Sequence, residues 1–378
     1  MTANTRHAIL ACVVTLMCIG MVTVYSAGAS LYGGHSGDLS LAQKQMVWLL
    51  VASVVLVLFS LLDYHTLEKY AVAMLIAAFL MLVLVHFVGA RVNGARRWLR
   101  LGPVSIQPAE FFKVAIVVYM ARFLSQKQKK IRLFLHGFMP PMVLATFGSL
   151  LIVTQPDFGT AVLIAAIVYT MLLVAGVRIA HALLMLPVAV PLVGYLVVTA
   201  PYRMRRILIF LDPWKDPQGD GYHIIQSLIA FGSGGPTGVG PGLGMQKSGY
   251  TPEHLTDFIF SVIGEETGFL GTTTVVMLYL VLLYLGYRVM THAPDAFGSM
   301  LTFGVLLTIA LQTFINIGVV TAMLPTKGLP LPFISAGGSS MVSMSAAMGM
   351  VLNVASHIGR EQPARLPGVQ RTVWLNGT

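Results

Sequence analysis

One polar stretch, from about residue 201 to residue 268, holds seven of the chain's fourteen acidic residues. They are Asp212, Asp216, Asp220, Glu253, Asp257, Glu265 and Glu266. Asp257 stands just ahead of an apolar run of helical length, where a polar loop meets an apolar segment. An ordinary aspartate has a pKa of about 3.9, so an aspartate that works as a base near neutral pH has to be partly buried. The position of Asp257 therefore makes it the first candidate for acid–base chemistry.

Cationic side chains gather at two other places in the sequence. Arg96, Arg97 and Arg100 flank Trp98 between two turn signals, Asn93-Gly94 and Gly102-Pro103, and Lys327 lies in the Gly- and Pro-rich run 323–340. Guanidinium groups pair bidentately with phosphate oxygens, so the arginine cluster is a candidate seat for an anionic phosphate. The alternative is an interfacial anchor, because Trp and Arg both favour the headgroup region of a membrane.

Three further charged residues occur beside or within apolar segments. Glu110 and Lys113 are three residues apart at the start of one such segment, which puts them on one helical face. Charges at membrane depth cost about 2.5–3.5 kcal/mol each, so they usually pair and line a cavity. We favour a pair that faces a hydrophilic cavity over a pair that only stabilises the helix. Asp157, in the string QPDFGT, is a candidate ligand, and the alternative is that it only forms a turn.

The elements that position these residues are apolar helices. Of the 378 residues, 56% are hydrophobic and 10% are charged, and the mean hydropathy is +0.79. Soluble domains carry about 25% charged residues, so the composition indicates an integral membrane protein. The apolar segments do not alternate as barrel strands do. Ten of them are candidate spans, at about 8–28, 45–62, 71–89, 109–124, 138–154, 160–176, 183–199, 268–287, 298–322 and 338–357.

The predicted fold is therefore all-α, a single integral membrane domain over residues 1–378 with both termini cytoplasmic. With the N-terminus inside, the short inner loops carry twelve Lys and Arg against six outside. The loop at about 200–267, between spans 7 and 8, is then extracytoplasmic, and residues 358–378 form a short cytoplasmic tail. Within this loop, residues 202–211 read as an interfacial helix.

Several classes of function are disfavoured by the sequence. The glycine-rich string GSGGPTGVGPGLG, residues 232–244, is too rich in Gly and Pro for helix or strand. We expect its backbone to adopt an irregular path that fits around another group. It does not form a Walker A loop, because Gln246 precedes Lys247 and Ser248. The ten histidines show no zinc-site spacing. The net charge of +10 suits anionic lipid or substrate, and we expect no nucleic-acid partner.

Over nearly its full length the chain resembles the SEDS family, the shape, elongation, division and sporulation proteins. Five ordered motifs carry the resemblance: NGARRWLRLGPVSIQPAEFFK, QPDFGTA, DPW followed by GYHIIQSLIAFGSGG, PEHLTDFIFSVIGEE, and LPTKGLPLPFIS with GGSS. The LPTKG motif is closer to the division-type branch, FtsW, than to the elongation-type branch, RodA.

The resemblance implies a peptidoglycan glycosyltransferase at the outer face of the bacterial cytoplasmic membrane. Such enzymes polymerise lipid II and work with a class B penicillin-binding protein, among other divisome or elongasome membrane proteins. The essential acidic residue of the family falls on Asp257. Predicted substrate-binding positions are Arg96, Arg97, Trp98, Glu110, Lys113, Asp157, His254, Glu265, Glu266 and Lys327.

Two positions depart from the family pattern. Family members usually have a histidine directly before the TDF motif, where this chain has Leu255 with His254 one place earlier, and a tyrosine where it has Ala336. These departures concern substrate positioning, since neither touches Asp257.

For the mechanism we expect Asp257 to act as the base in an inverting transfer. Arg96, Arg97, Lys113 and Lys327 would hold the pyrophosphate, with a divalent cation (Mg or Mn) as a candidate helper. The rival class is a lipid II flippase built around Glu110 and Lys113. A pure scaffold would leave the polar residues unexplained.

Overall fold

The structure is a computed structural model that describes residues 2–31, 38–92, 95–102, 104–244 and 256–358. Its described part contains twelve α-helices and one small sheet. The helices are α1 (Thr2–Leu31), α2 (Asp38–Leu61), α3 (Tyr64–Val88), α4 (Pro108–Gln126), α5 (Met139–Thr154), α6 (Phe158–Val174), α7 (Ile179–Val198), α8 (Pro201–Leu211), α9 (Tyr222–Gly234), α10 (Ile259–His292), α11 (Ala296–Val320) and α12 (Gly338–His357).

The ten predicted spans correspond to ten of these helices, all except α8 and α9. In the described part of the chain, eight candidate spans are long and apolar enough to cross a membrane, with the π-helical turn Phe134–Phe138 extending α5. The other two predicted spans are α4 and the shorter α6. Helix α4 packs against α3, α11 and α12 in the middle of the bundle, where its charged pair is shielded. The all-α polytopic prediction is confirmed.

A three-stranded antiparallel sheet joins α3 to α4, where only turns were predicted. Its strands are β1 (Ala90–Val92), β2 (Ala95–Leu101) and β3 (Val104–Ile106), in the order β1-β2-β3. Trp98 stands opposite Ala90, and Leu99 stands opposite Ile106. The turn predicted at Gly102 is present, and this glycine has a φ of +63°.

The loop predicted over about 200–267 contains helices. Helix α8 is present where the interfacial helix was predicted. Helix α9 follows, and α10 begins at Ile259 but is broken at Gly268, so the predicted span start at about residue 268 coincides with the break that ends a short first segment of α10. Residues 232–234 belong to α9, so the prediction that the whole glycine-rich string avoids helix is wrong there.

The remainder of the glycine-rich string packs against a break in α10. At Gly268 the helix has a φ of +65° and a ψ of −160°. The backbone N–H groups of Val239 and Gly240 donate to the carbonyls of Glu265 and Glu266, at 3.0 and 3.1 Å. A Cβ at Gly268 would lie 2.3 Å from the backbone nitrogen of Gly238, so only glycine fits. The string is thus shaped around the helix break.

One end of the bundle collects the sheet, the turn 155–157, helices α8 and α9, the start of α10 and residues 321–337. We call it the loop end; the distribution of basic residues over the short loops predicts that it is extracytoplasmic. Nearly all the predicted site residues that the structure describes lie at this end or one to two helical turns below it.

Candidate active site

Asp257 lies two residues before α10, and hydrogen bonds tie its backbone to the segment 321–337. Asn316 Nδ2, on α11, donates to the carbonyl oxygens of Asp257 (2.8 Å) and Leu329 (2.7 Å). The hydroxyl of Ser335 donates to the carbonyl of Thr256. The predicted base therefore sits on backbone that two side chains hold against the Lys327 segment.

The carboxylate of Asp257 is half-buried and lies against Gly328. A Cβ at Gly328 would come within 2.7 Å of Asp257 Oδ2, so any side chain there would displace the carboxylate. Gly328 directly follows Lys327. The structure thus brings the acidic motif and the LPTKG motif together, although they are far apart in the sequence.

Lys327 is half-buried, and its ammonium lies over an aromatic ring. Its Nζ is 5.5 Å from the centroid of Phe158, the first residue of α6. Burial lowers the pKa of Lys327 below its usual range, because the charged form loses hydration. In the described part of the chain, the ammonium of Lys327 has no hydrogen-bond or ion-pair partner.

Glu110 and Lys113 form the predicted ion pair, at 2.9 Å, in the interior of the bundle. Lys113 Nζ also donates to Gln312 Oε1 (2.7 Å), and Ser343 Oγ donates to Glu110 Oε2 (3.2 Å). Both charged side chains are at most 2% exposed. The pair is therefore enclosed by protein groups in this conformation, and its predicted part in substrate binding stays a prediction.

Gln312 connects this pair to the loop end. Its Nε2 donates to the carbonyl of Pro330 at 2.6 Å, while its Oε1 accepts from Lys113. Asn316 follows one helical turn later and binds the neighbouring carbonyl of Leu329. Helix α11 thus presents two amide side chains, four residues apart, to the segment that carries Lys327.

The two arginines before Trp98 donate to backbone carbonyls. Arg97 binds the carbonyls of Gln155 and Pro156, and Arg96 Nη1 binds that of His86 at 2.8 Å. These contacts attach strand β2 to α3 and to the turn before α6. The guanidinium of Arg97 is therefore largely engaged by the protein.

Asp157, in that turn, is buried and caps α6. Its Oδ1 accepts from the backbone N–H of Thr160 (3.2 Å), and Gln107 Nε2 lies 3.4 Å from Oδ2. Burial raises the pKa of Asp157, and the nearby charge of Arg97 opposes that rise. These contacts agree with the alternative that Asp157 forms the turn and caps the helix.

Glu265 and Glu266 are buried at the break of α10. Glu266 Oε1 accepts from Ser26 Oγ of α1 (2.7 Å) and from the N–H of Gly242 (3.3 Å). A Cβ at Gly244 would lie 2.6 Å from Glu265 Oε2, so both carboxylates lie against the glycine-rich string. His254 and Leu255 lie outside the described residues.

Sequence reasoning missed Gln312 and Asn316 of α11 as residues of this region, and also Arg203 of α8, which lies over the ring of Phe158. The signal for the first two was available, because amide side chains are rare in an apolar span and usually make specific contacts there. Among the residues that the structure describes, no group of three or more His, Cys, Asp or Glu is arranged as a metal site. The divalent cation stays a prediction.

Comparison with known proteins gives consistent matches along the chain. The family model described as "Cell cycle protein", of FtsW, RodA and SpoVE, matches residues 6–359. The chain is 40% identical to the stage V sporulation protein E of Bacillus subtilis, over 94% of this chain and 99% of that protein. It is 42% identical to the probable peptidoglycan glycosyltransferase FtsW of Geobacter sulfurreducens, over 93% and 95%.

The fold also resembles a solved structure. A chain from work on the structural coordination of polymerization and crosslinking by a peptidoglycan synthase complex superposes with a TM-score of 0.78. The two chains are 29% identical, and the superposition covers 94% of this chain and 98% of the other.

Proposed function

The chain belongs to the FtsW, RodA and SpoVE family and is a peptidoglycan glycosyltransferase, and from this premise we propose that it polymerises lipid II at the loop end with Asp257 as general base. The observation that carries the proposal is the contact of the half-buried Asp257 carboxylate with Gly328, next to Lys327, whose ammonium has no hydrogen-bond or ion-pair partner among the described residues. Asp257 would accept the proton of the attacking hydroxyl, and Lys327 would stabilise the leaving anion.

In the proposed step, a sugar hydroxyl of one substrate attacks the anomeric carbon of the other. The new C–O bond forms as the bond between the anomeric carbon and the diphosphate oxygen breaks. The hydroxyl proton passes to Asp257, and the lipid diphosphate leaves with the bonding electron pair. Direct attack inverts the anomeric centre. A cation near the leaving oxygens stabilises the charge that develops on them.

The backbone clamp from Asn316 and Ser335 supports this role for Asp257. General bases work only within hydrogen-bond reach of the proton that they remove, so their backbone has to be fixed. Asn316 and Ser335 hold two successive residues, Thr256 and Asp257, against the opposite segment. The base and the cation are therefore held by one set of hydrogen bonds.

The flippase alternative needs a polar path through the bilayer. Glu110 and Lys113 are the charged residues that would line it. Their partners Gln312 and Ser343 enclose them in the described conformation, so the pair serves a static role there. The enzyme hypothesis is the one that accounts for the groups at the loop end.

We infer a membrane-embedded transpeptidase, a class B penicillin-binding protein, as the partner of this chain. The similarity to a chain from a peptidoglycan synthase complex that couples polymerization to crosslinking supports this inference. The excess of basic residues on the short loops of the opposite end supports an extracytoplasmic loop end. The LPTKG motif supports a role in division.

The test is polymerisation of lipid II by the purified full-length protein in detergent, with and without a cognate partner and with a chelator. We expect glycan strands from the wild type and none from Asp257→Ala. Asp220→Ala is the matched control, because Asp220 is an exposed carboxylate of the same outer stretch. Equal polymer from wild type and Asp257→Ala would exclude Asp257 as the base.

A further inference from the structure

Two cationic side chains share one aromatic ring at the loop end. The guanidinium carbon of Arg203, on α8, lies 5.1 Å from the centroid of Phe158, and Lys327 Nζ lies 5.5 Å from the same centroid. Each cation gains from the ring's negative face. Their mutual repulsion, however, works against holding them together without an anion.

Neither cation has a carboxylate partner in the described part of the chain. Arg203 Nε binds the hydroxyl of Tyr202 (2.8 Å), and its Nη1 binds the carbonyl of Leu196 (2.7 Å). These contacts orient the guanidinium and leave its Nη2 available. Lys327 is half-buried, which disfavours its charged form. An anion that contacts both cations would offset their repulsion and the cost of the half-buried lysine charge.

Helix α8 is oriented so that only one of its three arginines reaches this place. Arg205 is exposed and lies 3.9 Å from Asp220, on the opposite side of the helix from the ring contact. Arg206 Nη1 reaches the carbonyl of Thr326 at 3.4 Å and so attaches α8 to the Lys327 segment. Arg203 is the half-buried one and lies over Phe158.

The other predicted phosphate ligands are engaged elsewhere. Arg96 and Arg97 donate to backbone carbonyls, and Lys113 is enclosed with Glu110. A ligand phosphate would have to displace these contacts to reach them. The ammonium of Lys327 makes no such contact in the described part of the chain, and Lys327 adjoins Gly328, where the Asp257 carboxylate lies. Arg203, although its Nε and Nη1 are engaged, lies on the same ring as Lys327.

We propose that Arg203 and Lys327, held on the ring of Phe158, bind the diphosphate of the lipid-linked sugar, an inference that rests on the proposed polymerisation. Two cations on one ring suit a ligand with two adjacent phosphates. Arginine supplies directed hydrogen bonds, and lysine supplies a compact charge. With this site, α8 would bind substrate as well as lie at the membrane surface, as its sequence predicts.

Steady-state kinetics of lipid II polymerisation by the full-length protein tests the site. Arg203→Gln is expected to raise KM about tenfold or more with a smaller change in kcat, as loss of one charge-assisted hydrogen bond predicts. The matched control Arg205→Gln, two residues away and solvent-exposed, should leave KM within about twofold of wild type. Arg203→Lys should recover part of the affinity. An unchanged KM in Arg203→Gln would overturn the site.

A second measurement uses inorganic pyrophosphate as the probe. It should inhibit the wild type and Arg205→Gln equally, and it should inhibit Arg203→Gln and Lys327→Gln more weakly. Equal inhibition of all four proteins would contradict the assignment.

The site has a second potential ligand with the same chemistry, the headgroup phosphate of an anionic phospholipid. Repeating the kinetics in nanodiscs with and without phosphatidylglycerol separates the two sources. A KM effect of Arg203→Gln that is present only with phosphatidylglycerol would identify a lipid site and refute the substrate site. Polymerisation that survives Asp257→Ala would refute the general base and leave these affinity comparisons valid.

Discussion

Asn316 offers the sharpest test of how Asp257 is positioned. Its side chain is only 2% exposed, and its Nδ2 makes two hydrogen bonds, to the carbonyls of Asp257 and Leu329. Asn316→Ala removes both donors and leaves two carbonyl oxygens short of a partner. Asn316→Asp keeps the shape but points a carboxylate at the same two oxygens.

The size of the effect follows from these two bonds. A buried polar group left without its partner costs about 1–3 kcal/mol, so the pair represents about 2–6 kcal/mol of stability. For activity the relevant quantity is the position of the Asp257 carboxylate. A displacement of about 1 Å in a catalytic group lowers kcat by about 100-fold. Because Asn316 binds only backbone at the site, KM should change much less than kcat.

Asn353→Ala is the matched control for lost stability. Asn353 on α12 is also buried and also makes two backbone contacts of 3.0 Å, to the N–H of Tyr64 and the carbonyl of Ser60, at the opposite end of the bundle. Both alanine variants should lower the melting temperature similarly in detergent. Only Asn316→Ala should lose kcat in lipid II polymerisation.

Two results would refute the positioning argument. The first is a wild-type kcat in Asn316→Ala, which would show that the contact to Asp257 has no influence on the reaction. The second is an equal loss of kcat in Asn353→Ala, which would assign the effect to stability alone. A further check is non-additivity, since Asn316→Ala should add little to the defect of Asp257→Ala.

Two other predictions concern charged groups. Lys113→Met leaves the Glu110 charge buried without its partner and should lower the free energy of unfolding by about 3–5 kcal/mol. Glu110→Leu combined with Lys113→Met should recover most of that loss. Equal melting temperatures for the single and double variants would contradict this. Burial lowers the pKa of Lys327, so its charge is lost as pH rises through that lowered value, and KM for lipid II should rise there. Lys327→Arg stays charged and should keep KM flat over that range; a KM that rises equally in both proteins would rule out Lys327 as the titrating group.

The spans could be predicted because membrane-spanning helices are a local property of the sequence. About twenty apolar residues specify a span whatever its neighbours are, and all ten predicted spans correspond to helices. Even α4 was identified despite its Glu110–Lys113 pair, since two charges do not outweigh an otherwise apolar helix.

The irregular parts depended on contacts between distant residues. The break in α10 at Gly268 exists because backbone groups of the glycine-rich string replace the helical hydrogen bonds there. No pattern within either segment reveals that pairing. The same holds for the sheet residue Arg97, whose carbonyl partners belong to the turn before α6.

The roles of the charged side chains were the hardest to predict, since residue type gives charge but not its partner. Arg97 and Lys113 are cations like Lys327, but the side chains of Arg97 and Lys113 already donate to protein groups. Arg203 was assigned to an interfacial helix because it is one of three arginines that precede an apolar patch. Only the three-dimensional arrangement brings Arg203 to the same ring as Lys327.

The contacts of α11 explain why a buried ion pair and an active-site loop occur together. Gln312 joins Lys113 to the carbonyl of Pro330, and Asn316 joins the adjacent carbonyl of Leu329 to Asp257. The enclosed pair thus anchors, through α11, the segment that follows Lys327. Under the proposed mechanism, this fixed loop keeps Asp257 and Lys327 in place before substrate arrives, so binding energy need not be used to order them. The proposal thereby gives the costly burial of Glu110 and Lys113 a purpose, which is to pre-organise the site.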